Sequence, residues 1–154
     1  SGNTKILLNG KPAEYEMKAG YAYISREYGA EDVITVELDM EVKRVYTSSR
    51  VAANTGKAAL QRGPLVYCAE GVDNENDVLS LSLKKDGKIM VSEYIPDKLC
   101  GIQELYAEGY REVVSDDLYS YDAPVTRECQ ITLVPYYTWA NRGLNQMRVW
   151  LPFI

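Results

Sequence analysis

Carboxylates are the acid–base groups this sequence offers in quantity: its 154 residues hold 22 Asp and Glu and no histidine. That excludes Ser-His-Asp and Cys-His nucleophilic pairs, the two-histidine zinc helix and any histidine base within this stretch. A glycosidase needs only two carboxyl groups, about 5–9.5 Å apart across a cleft. Glu70 and Asp73 flank the end of the apolar run Leu65-Val66-Tyr67-Cys68-Ala69, and Glu104 and Glu108 fall on a further predicted strand. A self-contained hydrolase would use a pair such as Glu70 with Glu104. The plainer reading of all four is solvated strand ends and loop charges. Asp73, Asn74, Asn76 and Asp77 form an oxygen-rich stretch that could hold calcium, but it lacks the glycine and closing glutamate of an EF-hand. It reads as a polar turn, and the sequence predicts no metal ligand and no catalytic residue.

A second constellation is aromatic. Tyr136, Tyr137 and Trp139, followed by Asn141 and Arg142, combine rings that stack on sugar faces with groups that hydrogen-bond hydroxyls. These five are the candidate carbohydrate contacts, with core or inter-domain packing as the competing reading. Arg62, before Gly63-Pro64, could pair with a carboxylate across a domain interface or stand exposed. Cys68, Cys100 and Cys129 are widely spaced with no Cys-x-x-Cys, so they read as small buried hydrophobes, although one bridge plus a free thiol is open.

The elements that must position these groups read as strands. Ile34, Val36, Leu38 and Met40 alternate with Val33, Thr35, Glu37 and Asp39. Leu79, Leu81 and Leu83, and later Met147, Val149, Leu151 and Phe153, repeat the two-residue period of half-buried strands. Thirteen tyrosines against one phenylalanine add strand-favouring side chains. Asn9-Gly10 is a strong hairpin signal, and Lys18-Ala19-Gly20, Gly63-Pro64, Asp73-Asn74, Asp86-Gly87 and Asn141-Arg142-Gly143 suggest further turns. Ala52–Leu60 is the best helix candidate by composition, but Gly56 limits it to one turn. Residues 111–128 are polar and acidic and read as a long surface loop. The spacing predicts an all-β fold, an antiparallel sandwich or jelly roll.

Composition narrows the function classes. A 46% hydrophobic, 25% charged chain is an ordinary globular protein. Its net charge of −5 argues against a nucleic-acid partner. No apolar run approaches the roughly 20 residues of a membrane helix, so no membrane partner is expected. Ser1-Gly2 in place of Met reads as a cloning remnant, and the natural sequence is expected to extend upstream. Unpaired cysteines and an acidic balance suit bacterial periplasm and cytoplasm equally.

The stretch Gly56-Lys57-Ala58-Ala59-Leu60-Gln61-Arg62-Gly63-Pro64-Leu65-Val66-Tyr67-Cys68-Ala69-Glu70-Gly71-Val72-Asp73-Asn74 resembles a signature of glycoside hydrolase family 127, which includes β-L-arabinofuranosidases and was once catalogued as a domain of unknown function. Val134-Pro135-Tyr136-Tyr137-Thr138-Trp139-Ala140-Asn141-Arg142-Gly143, with Met147-Arg148-Val149-Trp150-Leu151, resembles the C-terminal end of that family. Leu8-Asn9-Gly10-Lys11, Gly20-Tyr21 and Asp32-Val33-Ile34 resemble the hairpins that end its middle sandwich.

The resemblance implies that chemistry belongs to an N-terminal (α/α)6 barrel, with a cysteine nucleophile and zinc held by further cysteines and a glutamate. None of those residues has a counterpart here, so no cofactor is expected in this chain. It also implies that residues 3–45 are the last hairpins of the middle β-sandwich and 46–154 a C-terminal β-sandwich. The expected role is a non-catalytic accessory region, inactive alone, that supports the barrel or oligomer assembly. Its partners would be its own upstream barrel and, through the incomplete strands of 3–45, a homodimer or the C-terminal sandwich. The alternatives are a stand-alone carbohydrate-binding module and the self-contained hydrolase.

Overall fold

The computed structural model describes residues 4–113 and 117–154, and it is built from strands and short 3-10 turns. The chain divides into two compact units, residues 1–41 and 42–154.

In the first unit, β1 (Lys5–Leu8) and β2 (Lys11–Pro12) form a hairpin around Asn9-Gly10. Both turn residues have positive φ, 50° and 76°, the geometry that Asn-Gly adopts at least cost. The next strands, β3 (Glu16–Lys18) and β4 (Tyr21–Tyr23), turn through Ala19-Gly20 in the same conformation. Then β5 (Ile34–Glu37) returns antiparallel to β1. Asn9 and Asp32 lock that return, since the Asn9 amide donates to Asp32 at 2.6 Å and accepts from the Val33 N–H at 2.8 Å. No described residue of this unit is buried. Met17, Tyr21, Tyr23, Val33, Ile34, Val36 and Leu38 all stand exposed. The alternation of β5 therefore specifies an apolar face that nothing within the unit covers.

The second unit has the core. Its strands are β6 (Val42–Tyr46), β7 (Lys57–Arg62), β8 (Leu65–Glu70), β9 (Leu81–Leu83), β10 (Ile89–Val91), β11 (Leu105–Glu112), β12 (Thr126–Pro135), β13 (Met147–Arg148) and β14 (Leu151–Pro152). All nine join one antiparallel network, with the order β10-β11-β12-β8-β7-β14, β9 on β11, β6 on β7 and β13 on β8. The long β12 changes partner part-way. It faces β11 from Thr126 to Leu133, then β8 through Val134 and Pro135. The sheet thus curls onto itself and encloses Leu60, Tyr67, Leu81, Leu83, Leu105, Ile131, Leu133 and Leu151. A parallel bridge from Leu83 to Phe153 ties the chain end to β9. The all-β antiparallel sandwich expected from the sequence is the fold observed.

The helix candidate Ala52–Leu60 is held, as the sequence limits it, to one turn, the 3-10 segment Ala52–Asn54, and Lys57–Leu60 is strand, because Ala58, Ala59 and Leu60 are buried in the sheet. Tertiary burial overrides the helical preference of alanine. The predicted loop 111–128 is shorter, since β11 runs through Glu112 and β12 starts at Thr126, with Arg111 opposite Arg127; residues 114–116 of it lie outside the described residues. Arg111 hid that strand. It is buried because its guanidinium donates to the carbonyls of Asn74 and Asp77, both at 2.9 Å, and to Ser80 Oγ at 3.0 Å.

Candidate functional site

The two stretches that stood out in the sequence meet at one charged cluster. Glu70 ends β8 and is fully buried, on the same strand face as Cys68. The chain then turns through a 3-10 segment, Gly71–Asp73, held by Gly71 N–H bonds to Gln146 O (2.8 Å) and Asn145 Oδ1 (3.1 Å). A Cβ at Gly71 would meet the Asn76 backbone at 3.4 Å, so the turn packs closely. Asn74 latches it to β12. Its amide donates to Glu70 O (2.8 Å) and Thr132 O (2.9 Å) and accepts from Thr132 N–H (3.1 Å). Its side-chain groups are fully engaged, as expected for a buried amide.

Arg142 arrives from the far end of the sequence. After β12, Tyr136–Thr138 form a 3-10 turn closed by Thr138 Oγ1 on Pro135 O at 2.7 Å. Ala140, at φ +65°, directs its N–H to Glu70 Oε1 at 3.2 Å. Arg142 then donates to both oxygens of Asp73, at 2.7 and 2.5 Å, and to Glu70 Oε2. Lys98 bridges onward, from Asp73 Oδ1 (3.0 Å) to Glu104 Oε1 (2.6 Å), and the Tyr106 hydroxyl donates to Glu104 Oε2 (2.8 Å). Three carboxylates face two cations, all partly or wholly withdrawn from water.

The electrostatics favour the charged forms of Asp73, Lys98 and Arg142. Burial would raise the Asp73 carboxyl, but Arg142 and Lys98 outweigh it and hold the group below its ordinary range. Burial would lower Lys98, yet its bonds to Glu104 and Asp73 raise it. Asp73 first, and then Glu70, raise Arg142 against the effect of burial. Tyr106 is raised by its bond to Glu104. Cys68 is pushed up to about 12, first by burial and then by Glu70. A glycosidase acid requires the opposite perturbation, a carboxyl kept protonated near neutrality. The structure therefore brings Glu70 and Glu104 into one cluster with Arg142, Asp73 and Lys98 linking them. Glu108 lies apart, its carboxylate accepting from the Lys88 N–H at 3.0 Å.

The oxygen-rich stretch is engaged in protein contacts too. Asp77 Oδ1 accepts from the N–H groups of Leu79 (2.9 Å) and Ser80 (3.3 Å), and Glu75 pairs with Arg127 at 2.8 Å. Among the described residues, no group of three metal-ligating side chains is placed to hold an ion.

Of the five candidate sugar contacts, Tyr136 and Trp139 stack with centroids 6.2 Å apart and planes 13° apart, both exposed. Tyr137 is 63% exposed. The Asn141 amide donates to Thr138 O at 3.0 Å, and Arg142 is taken up by the cluster. Tyr136 also borders an open depression of about 560 Å³ with Lys57, Val66, Met147, Arg148, Val149 and Trp150. Sequence reasoning passed over Lys98, Tyr106 and Asn145, and read Asn74 only as part of a polar turn. The available signal was charge: one stretch carries two acids and the other an arginine, each beside a turn.

The C-terminal domain of glycoside hydrolase family 127 matches residues 42–152. A non-reducing end β-L-arabinofuranosidase of Bifidobacterium longum subsp. longum is 38% identical over 159 residues, covering 96% of this chain and 24% of that protein. The crystal structure of Ara127N-Se, a GH127 β-L-arabinofuranosidase from Geobacillus stearothermophilus T6, superposes with a TM-score of 0.81 at 35% identity, covering 99% of this chain and 25% of that one. A further GH127 β-arabinofuranosidase structure gives a TM-score of 0.80 at 34% identity, over 98% and 23%. The chain thus spans about a quarter of the length of these relatives.

Proposed function

Since this chain belongs to glycoside hydrolase family 127, as its C-terminal domain, we propose that it is the non-catalytic β-sandwich region of a hydrolase acting on L-arabinofuranosides or related glycosides. It supports the catalytic part of the same polypeptide and has no hydrolytic activity of its own. The observation that carries this reading is the Glu70–Asp73–Glu104 cluster. Each carboxylate there is matched to Arg142 or Lys98, so the site is a structural clamp rather than an acid–base pair. Strands 4–41, without a buried residue of their own, are read as the last hairpins of a sandwich completed by preceding strands of the same polypeptide. The chemistry and any zinc belong to that preceding part, for which these residues offer no ligand set.

The test compares two preparations on an aryl β-L-arabinofuranoside: the full polypeptide and these 154 residues alone. Turnover by the full polypeptide only is the expected result. Turnover by the short chain, abolished by Glu70→Gln, would refute the proposal.

A second reading is a carbohydrate-binding surface at Tyr136, Tyr137 and Trp139, with Asn141 and Arg142 holding the turn that presents them. The stacked, exposed Tyr136–Trp139 pair favours it. Titration with arabinan oligosaccharides, monitored by tryptophan fluorescence, should give a response that Trp139→Ala removes.

A further inference from the structure

Between β10 and β11 the chain makes a strap, residues 94–102, whose backbone is unlike the rest of the unit. Its ends are joined by an antiparallel bridge, with the Ile95 N–H donating to Ile102 O at 2.8 Å and the Ile102 N–H to Ile95 O at 3.2 Å. Within it, Leu99, Cys100 and Gly101 follow one another at φ 52°, 63° and 95°. Other left-handed runs among the described residues stop at two. L-residues visit that region singly, and each Cβ placed there is unfavourable. Leu99 and Cys100 both carry one. Gly101 has no alternative, since a Cβ there would stand 1.9 Å from the Tyr94 hydroxyl oxygen. The closed strap therefore stores strain that other contacts must hold.

Two sets of contacts hold it. Lys98 is bound to Asp73 at 3.0 Å and to Glu104 at 2.6 Å, and the Gly101 N–H donates to Lys98 O at 2.9 Å. Beside it, Leu99 packs on a small apolar cluster of Cys68, Ile102 and Val134. That cluster is separate from the main core. Tyr67 and Ala69 of β8 point into the main core, and Cys68 between them points the other way. The small cluster can thus be uncovered while the main core stays packed, which is the requirement for local rather than global opening. Met147 and Val149 also pack on the small cluster, and both border the open depression beside Tyr136 and Trp150. Lifting the strap would extend that depression into a deeper apolar recess.

We propose that residues 94–102 are a sprung lid, latched by Lys98 on Asp73 and Glu104, that opens on its own to uncover the Cys68–Ile102–Val134 cluster. The strain at Leu99 and Cys100 favours opening, and the two ion pairs favour closure. Asp73 is shared with Arg142, so the latch and the aromatic turn Tyr136–Trp139 draw on one carboxylate.

The test follows prolonged alkylation of Cys68 in the full polypeptide, read by peptide mass mapping, with hydrogen–deuterium exchange of β7 recorded alongside. The reagent is kept dilute enough for the rate to scale with its concentration, so the rate reports the open fraction. Cys100→Gly, which accepts a left-handed φ, should slow Cys68 modification about threefold relative to Cys100→Ser, which keeps the strain. Lys98→Met, which releases the latch, should speed it about tenfold. Exchange in β7 should move by less than about twofold in either variant. Equal rates for Cys100→Gly and Cys100→Ser overturn the proposal, because the lid would then hold no strain. A rise of β7 exchange in Lys98→Met by the same factor as Cys68 modification overturns it as well, because Cys68 would be reached only by unfolding the whole unit.

Discussion

Replacing Arg142 by methionine keeps much of the apolar stem and removes the charge. Glu70 is 0% exposed, while the Arg142 side chain is 19% exposed. The substitution leaves buried Glu70 without a cation, and Asp73 with Lys98 alone. Breaking a buried pair from one side costs about 3–5 kcal/mol, because the orphaned charge keeps its desolvation penalty. For a unit of this size, 1 kcal/mol moves the midpoint by roughly 3–6 °C, so Tm should fall by about 10–30 °C. Calorimetry and near-UV circular dichroism at pH 7 would read it. Glu70→Gln with Arg142→Met should cost less than the two singles added, with a coupling of about 1 kcal/mol or more. A drop under about 4 °C for Arg142→Met, the scale of an exposed ion pair, would falsify the clamp.

Acid should weaken the fold through Asp73. Its folded pKa lies below the ordinary carboxylate value of 3.8, so its stabilisation is complete above that value and is lost as pH falls through the depressed one. Asp73→Asn should flatten that acid limb in Tm-against-pH curves, and an unchanged limb would exclude Asp73 as its source. Lys98 gives the opposite edge: its raised folded pKa contributes stability in full below 10.5 that fades as pH rises through the higher value, an alkaline loss that Lys98→Met should remove. Alkylation of the native protein with iodoacetamide should modify exposed Cys100 first and leave Cys68 untouched, since its thiol is buried and pushed up to about 12; early labelling of Cys68 by peptide mass mapping would contradict that burial. Gly109→Ala should destabilise by about 1–3 kcal/mol in a urea titration, because its Cβ would stand 2.4 Å from Ser82 O and 2.5 Å from Ile131 Cδ1. A neutral result there would mean that β9 and β12 separate freely.

Local signals were readable because they act over a few residues. Asn9-Gly10 dictates its own turn, and the alternation Leu81-Ser82-Leu83 dictates a buried and a facing side. The cluster was not readable in the same way. Glu70 and Arg142 each stood out, one as a possible acid and the other as a possible sugar contact, but 72 residues separate them. Their meeting depends on the register of β12 against β8 and β13 against β8, which no local pattern encodes. The strand ends at 111–112 and 126–128 were missed for a related reason. A buried arginine looks like a loop residue until the carbonyls that accept its protons are in place. Likewise, the alanines at 58 and 59 read as helix formers until the sheet packs over them.

Arg142, in the second signature stretch, shows what a buried charge network does that apolar packing cannot. Arg142 is met by acids of its own unit, and its two carboxylates fix the Tyr136–Trp139 turn against the end of β8 through Ala140. Replacing such a network by apolar side chains often keeps or raises stability, so stability alone is weak grounds for it. What an apolar substitute lacks is direction: a bidentate guanidinium accepts one angle of approach, whereas methyl groups accept many. The clamp therefore has its main effect on the orientation of the exposed aromatics.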